Sequence, residues 1–169
     1  MTFMEIVLLV ALVVASVTDL LYRKINNWLT LPCMLFGLIS HSYVNGFDGF
    51  LFSLGGTVVG LGLLMFFYLF GMMGAGDVKL MGAVGSFLGP SGVFQAFLFT
   101  ALAGGIYAVA VLAVKGQLLC FVKRMVLSLY LSIAQRKPAL LPEERTELPV
   151  LCYGVAIAAG TVTSLFVKF

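Results

Sequence analysis

Residues 80–114 run for 35 positions without an aspartate, glutamate, lysine or arginine. That run limits the possible folds more than any other feature of the chain. As one helix at 1.5 Å per residue it would reach about 52 Å, well over the roughly 30 Å hydrocarbon core of a bilayer. It must therefore fold back. Gly89, Pro90, Ser91 and Gly92 are the natural reversal, because proline cannot continue the hydrogen-bond ladder and glycine accepts the backbone angles a reversal needs. A short arm, 78–88, and a long arm, 93–114, result. The rest of the chain has the same character: 62% of its 169 residues are hydrophobic and 10% are charged, against roughly 45–50% apolar in a soluble domain. The bilayer is the main solvent.

Sparse charges and glycine-rich breaks place further spans at 3–21, 28–43, 50–70 and 150–167. The expected fold is all-α, one polytopic membrane domain over 1–169 with about six transmembrane helices. The fourth of these is short and either re-entrant or buried among its neighbours. Within the loop 117–149, Arg124, Ser128, Ser132 and Gln135 recur at helical spacing on an otherwise apolar stretch. This predicts an amphipathic interfacial helix over 117–135, followed by a proline-containing linker over 136–149. With alternating spans, Arg23, Lys24, Lys79, Lys115, Lys123, Arg124, Arg136, Lys137 and Arg145 share one side and Lys168 takes the other. The excess of positive charge makes the first side cytoplasmic and puts both termini outside. The first apolar run has no basic residue ahead of it and no clear cleavage site after it, so a signal peptide is a poor reading.

Two carboxylates stand out against this background. Asp19 lies near the end of the first apolar run, and Asp77 follows Gly74, Ala75 and Gly76 between two others. A carboxylate beside hydrocarbon costs roughly 2.5–3.5 kcal/mol on insertion scales. Both map to the same cytoplasmic edge, so they can act together. Peptide hydrolysis by two aspartates needs one ionised carboxylate to take a proton from water and one protonated acid to give a proton to the substrate. Close like charges share one proton naturally. The helix dipole favours the anion at Asp77, before a helix, over Asp19, late in one, which makes Asp77 the base and Asp19 the acid.

Simpler roles compete with that one. Asp77 alone can be a helix cap, Asp19 can pair with Arg23 one turn on, and Lys79 can be an interface anchor. The three cysteines are isolated and His41, the sole histidine, falls near the outer end of its span. Metal, thiol and Ser-His-Asp chemistry thus have little support, and no metal, cofactor or nucleic-acid partner is expected. Gly56 with Gly60, Gly85 with Gly89, and Ala156 with Gly160 stand four apart, which suits close helix packing.

The run Asp19-Leu20-Leu21-Tyr22-Arg23-Lys24-Ile25-Asn26-Asn27-Trp28-Leu29 and the run Gly74-Ala75-Gly76-Asp77-Val78-Lys79-Leu80 resemble the two signature regions of type IV prepilin peptidases. These are membrane aspartyl proteases with a glycine-x-glycine-aspartate motif. The resemblance extends to residues 153–160 in the final span. It implies that Asp19 and Asp77 are the catalytic pair, that Gly74, Gly76 and Lys79 shape the site or bind substrate, and that no cofactor takes part. It implies further that the substrate is a prepilin or pseudopilin precursor whose basic leader is cut off at the cytoplasmic face of a bacterial inner membrane, in the service of a pilus or secretion apparatus. Gly74 and Gly76 would let the extended scissile segment come close. Asn26 and Cys152 stand where the family often has proline, and the chain lacks the paired-cysteine insertion of the larger methylating members, so a peptidase-only form is expected. The competing class is a small cation-coupled transporter using Asp19 and Asp77 as ion ligands, whose site would lie near the midplane.

Overall fold

A computed structural model of the chain describes residues 3–22, 24–69, 73–114, 116 and 153–167, and among these every regular element is helical. The helices are α1 (Phe3–Tyr22), α2 (Asn27–Leu69), α3 (Ala75–Val114) and α4 (Tyr153–Phe166). By length and composition α1, α2 and α3 can each cross a membrane, and α4 is a shorter apolar helix. The expected interfacial helix and linker, Arg23 and residues 150–152 lie outside the described residues. Contacts within the chain divide it into two compact units, Met1–Gly104 with Cys152–Phe169, and Gly105–Leu151. The first unit holds the features considered below; of the second, residues 105–114 continue α3.

Both long helices are broken once, each time at a glycine with positive φ. In α3 the break is Gly89 (φ 70°, ψ −177°), followed by the proline expected to force a reversal. In α2 it is Gly46 (φ 59°, ψ −136°). Residues 44–49, read from sequence as a gap between spans, are helical on either side of that one residue. One glycine in a conformation that side-chain-bearing residues avoid replaces a longer loop.

Side-chain register shows that the chain turns back at both breaks. Against arm 75–88, the first arm of α2 runs parallel: Ile25 meets Gly76, Met34 meets Gly82, and Gly37 meets Ser86. Its second arm runs antiparallel, with Gly56 against Gly85 and Gly89, and Gly60 against Met81. The arm after Gly89 follows that second arm, as Gly55 touches Pro90, Gly60 touches Val93 and Phe67 packs near Phe97. It therefore runs opposite to arm 75–88. Helices α1 and α4 pack against each other, with Gly154 beside Asp19.

Arm 75–88 is the centre of the assembly. Residues 80–87 are all buried, whereas α1 buries a single stripe, Leu8, Ala11, Leu12, Ala15 and Asp19. A stripe at helical spacing marks a helix with one inward face; apolar character all round marks a surrounded one. The core is accordingly built from Leu8, Leu12, Leu64, Met81, Val84, Val93 and Ile157. Ile6, Val10, Val13 and Val17 point outward from α1 and are about half exposed or more, as a lipid-facing surface would be.

The break at Gly89 and Pro90 costs a hydrogen bond, and a distant side chain replaces it. Pro90 has no N–H to give the carbonyl of Ser86; the Ser53 hydroxyl donates to that oxygen instead, at 2.7 Å. The next carbonyl, of Phe87, lies 3.0 Å from His41 Nε2. Because a carbonyl only accepts, His41 must carry its proton on Nε2. The lone histidine is thus a patch on a broken helix. Ser53→Ala leaves a buried carbonyl unpaired and is expected to destabilise the protein by about 1–3 kcal/mol, measurable as a lower midpoint in a denaturant titration in micelles.

Candidate active site

Both turns that precede a long helix meet at one end of the first unit, with the C-terminal end of α1 and the N-terminal end of α4. Asp19 comes three residues before the end of α1, and Asp77 lies in the first turn of α3. They are 7% and 9% exposed, and they lie close enough for their charges to interact. The tertiary fold thus brings together the two carboxylates that the sequence singles out.

Asp77 is held by its own turn. Its N–H donates to the Gly74 carbonyl at 3.1 Å, and its Oδ2 accepts the Gly74 N–H at 3.0 Å. This is half of a capping box, with Asp77 in the third helical position and its carboxylate reaching back to the cap residue. The capping role considered from sequence is therefore real, one turn later than a simple N-cap would place it. A carboxylate in this position also meets the partial positive charge of the helix N-terminus.

Asp19 is held from 135 residues away. Its Oδ2 accepts the Gly154 N–H at 2.8 Å, an amide in the first turn of α4. A Cβ on Gly154 would stand 2.9 Å from that oxygen and 3.1 Å from Asp19 Cβ, so the approach depends on the missing side chain. Asp19 thus also faces a helix N-terminus, although it lies late in its own helix. The dipole difference that marked Asp77 as base and Asp19 as acid is offset by α4 and no longer separates the two roles.

The remaining residues named from sequence frame the pair. Gly76 packs against Ile25, where a Cβ would stand 2.9 Å from Ile25 Cβ and 3.0 Å from its carbonyl oxygen. Its glycine is needed to bring α3 onto the turn before α2. Lys79 Nζ donates to Asn27 Oδ1 at 2.8 Å, a second tie between the same two helix starts and one that leaves Asp77 alone. Gly74 is exposed, and its amide serves Asp77. Tyr153, half-buried, places its ring 3.8 Å from where a Cβ on Gly104 would be, with its phenol within the electrostatic reach of Asp77. Among the described residues no group of three or more His, Cys, Asp or Glu could hold a metal ion.

Sequence reading missed the Gly154 amide as a partner of Asp19, and Asn27 as the partner of Lys79. The first left a trace in the run of small residues 154, 156 and 160, all buried on α4, which showed that something comes close without showing what. A cavity of about 770 Å³ lies at the opposite end, lined by Phe3, Glu5, Phe36, His41, Gln95 and Ser164 among others. Neither aspartate touches it, so the cavity and the carboxylate pair are separate features.

Two buried carboxylates at a shared edge, each accepting a glycine N–H, can divide the tasks of acid and base or can bind a cation. Comparison with known families points to a protease. A model described as the type IV leader peptidase family matches residues 6–109, a span that contains both aspartates. Comparisons with curated proteins and with solved structures give no match.

Proposed function

Because the chain belongs to the type IV leader peptidase family, we propose that Asp19 and Asp77 are an aspartyl dyad that removes a short basic leader from prepilin-like precursors. The observation that carries this reading is the convergence of two buried carboxylates from distant helices, each oriented by a glycine amide. In the reaction, the ionised carboxylate takes a proton from water as its oxygen attacks the scissile carbonyl carbon. The protonated partner gives its proton to the carbonyl oxygen. As the tetrahedral adduct collapses and the C–N bond breaks, the carboxyl that took the proton from water gives it to the leaving nitrogen, the other carboxylate takes back the proton from the adduct's hydroxyl, and a leader carboxylate and a new N-terminal amine depart. General acid–base assistance of this kind is worth about 10²–10⁴-fold.

Six spans accommodate this chemistry. Dividing α2 at Gly46 and α3 at Gly89 gives six helical arms with α1 and α4, the lysine and arginine distribution supports a cytoplasmic dyad end, and the family supports a bacterial inner membrane. A precursor would lay its apolar helix against these spans with its leader in the cytosol. Cleavage is expected after the glycine ahead of that helix. An ion-transport role is less well supported, since both aspartates sit at helix ends rather than mid-helix. Co-expression with a prepilin from the same genome tests the reading: leader loss is expected by mass spectrometry with the native chain. Full processing by both Asp19→Asn and Asp77→Asn would remove the aspartyl mechanism.

A further inference from the structure

On the reading that Asp19 and Asp77 are a peptidase dyad, we propose that the start of α4 is the positioning element of the site. The Gly154 amide fixes the orientation of the Asp19 carboxyl, and so which of its lone pairs can carry and transfer a proton. An oxygen accepting an N–H in its plane cannot at the same time hold the acid proton toward that donor. With Oδ2 of Asp19 held by Gly154 at 2.8 Å, and Oδ2 of Asp77 by Gly74 at 3.0 Å, the lone pair that faces each amide is closed to the shared proton and the orientation of each carboxyl is set. Each carboxyl is thereby presented to water and substrate in a fixed orientation.

The two clamps differ in reach. Gly74 and Asp77 belong to one turn, so their bond survives any rigid movement of α3. Gly154 and Asp19 belong to different helices, and their bond holds only while α4 keeps its place. That place is set by contacts further along α4: Gly160 packs directly on the backbone of Thr100, and Ala156 and Tyr153 lie against Gly104. Tyr153 continues the bridge, since it adjoins the residue that binds Asp19 while its phenol lies within reach of the Asp77 charge. Any shift of α4 along α1 therefore moves the Asp19 donor. Gly154 is a positioning residue, acting on substrate only through Asp19.

The test uses the full chain in lipid nanodiscs and a synthetic precursor made of a basic leader, a glycine and an apolar helix. Two variants separate the amide from the space it occupies. An amide-to-ester replacement at residue 154, made by in vitro translation, removes the N–H and adds no side chain; Gly154→Ala keeps the N–H and pushes Asp19 aside. Each is expected to lower kcat by about 10²-fold, the scale of a misplaced catalytic group, with KM within about threefold because substrate contacts persist. The pH–rate profile should change shape, and the infrared carboxyl band assigned by its loss in Asp19→Asn should move. A merely structural role predicts a smaller folded fraction with an unchanged profile and an unmoved band. Native kcat, or an unmoved band, in the folded ester variant overturns the proposal. The infrared readout does not depend on peptidase activity: undiminished cleavage by Asp19→Asn would refute the dyad, whereas an unmoved band refutes the clamp.

Discussion

Asp77→Asn and Asp19→Asn are each expected to lower leader removal by at least about 10²–10⁴-fold, and the double variant by little more than either alone. Asparagine keeps the size of the side chain and its ability to accept the Gly74 or Gly154 amide, so the fold should be retained. What is lost is the ability to give or take a proton. An ionised base without its acid cannot protonate the carbonyl oxygen, and an acid without its base cannot generate the attacking water, so the two losses are not independent. Rates from purified single and double variants, with melting temperatures alongside, give the comparison. Additive losses in the logarithm of the rate would mean that the two residues act separately.

Gly85→Leu should have the largest effect on the fold. Gly85 and Gly56 meet backbone to backbone, and a Cβ at either would collide with the other's carbonyl group. Overpacking a core costs about 1–3 kcal/mol where side chains can give way. Here the obstacle is main chain at the buried centre, so a loss above about 3 kcal/mol and failure to accumulate in the membrane are expected. Gly62→Leu is the control. Gly62 is exposed and has nothing within 4 Å of a Cβ, and leucine is a better helix former than glycine by somewhat under about 1 kcal/mol. It should accumulate normally. Immunoblots of membrane fractions and thermal unfolding in detergent distinguish the pair, and equal behaviour would show that the Gly56–Gly85 crossing does not bear on stability.

The two aspartates were legible in the sequence because a charge beside hydrocarbon is conspicuous from its covalent neighbours alone. The reversal at Gly89 and Pro90 was legible for a similar local reason: an uncharged run too long for the bilayer needs a breaker, and only one stretch within it supplies proline between glycines. The short fourth segment, left open as re-entrant or buried, is the surrounded centre of the described helices. What local pattern could not show is which distant groups would satisfy the broken backbone and the buried carboxylates. Ser53 and Ser86, 33 residues apart, and Gly154 and Asp19, 135 apart, meet only because the helices pack in one register. The same limit affected the acid and base roles. A dipole argument drawn from Asp19's own helix left out the N-terminus of α4, which the fold brings against it.

Mass spectrometry of a synthetic prepilin-like precursor, incubated with the purified chain in nanodiscs, tests the dyad most directly. The expected result is two products divided immediately after the glycine ahead of the apolar helix, formed by the native chain and absent with Asp77→Asn. Cleavage there by Asp77→Asn at the native rate would contradict the assignment of Asp19 and Asp77 as a peptidase pair.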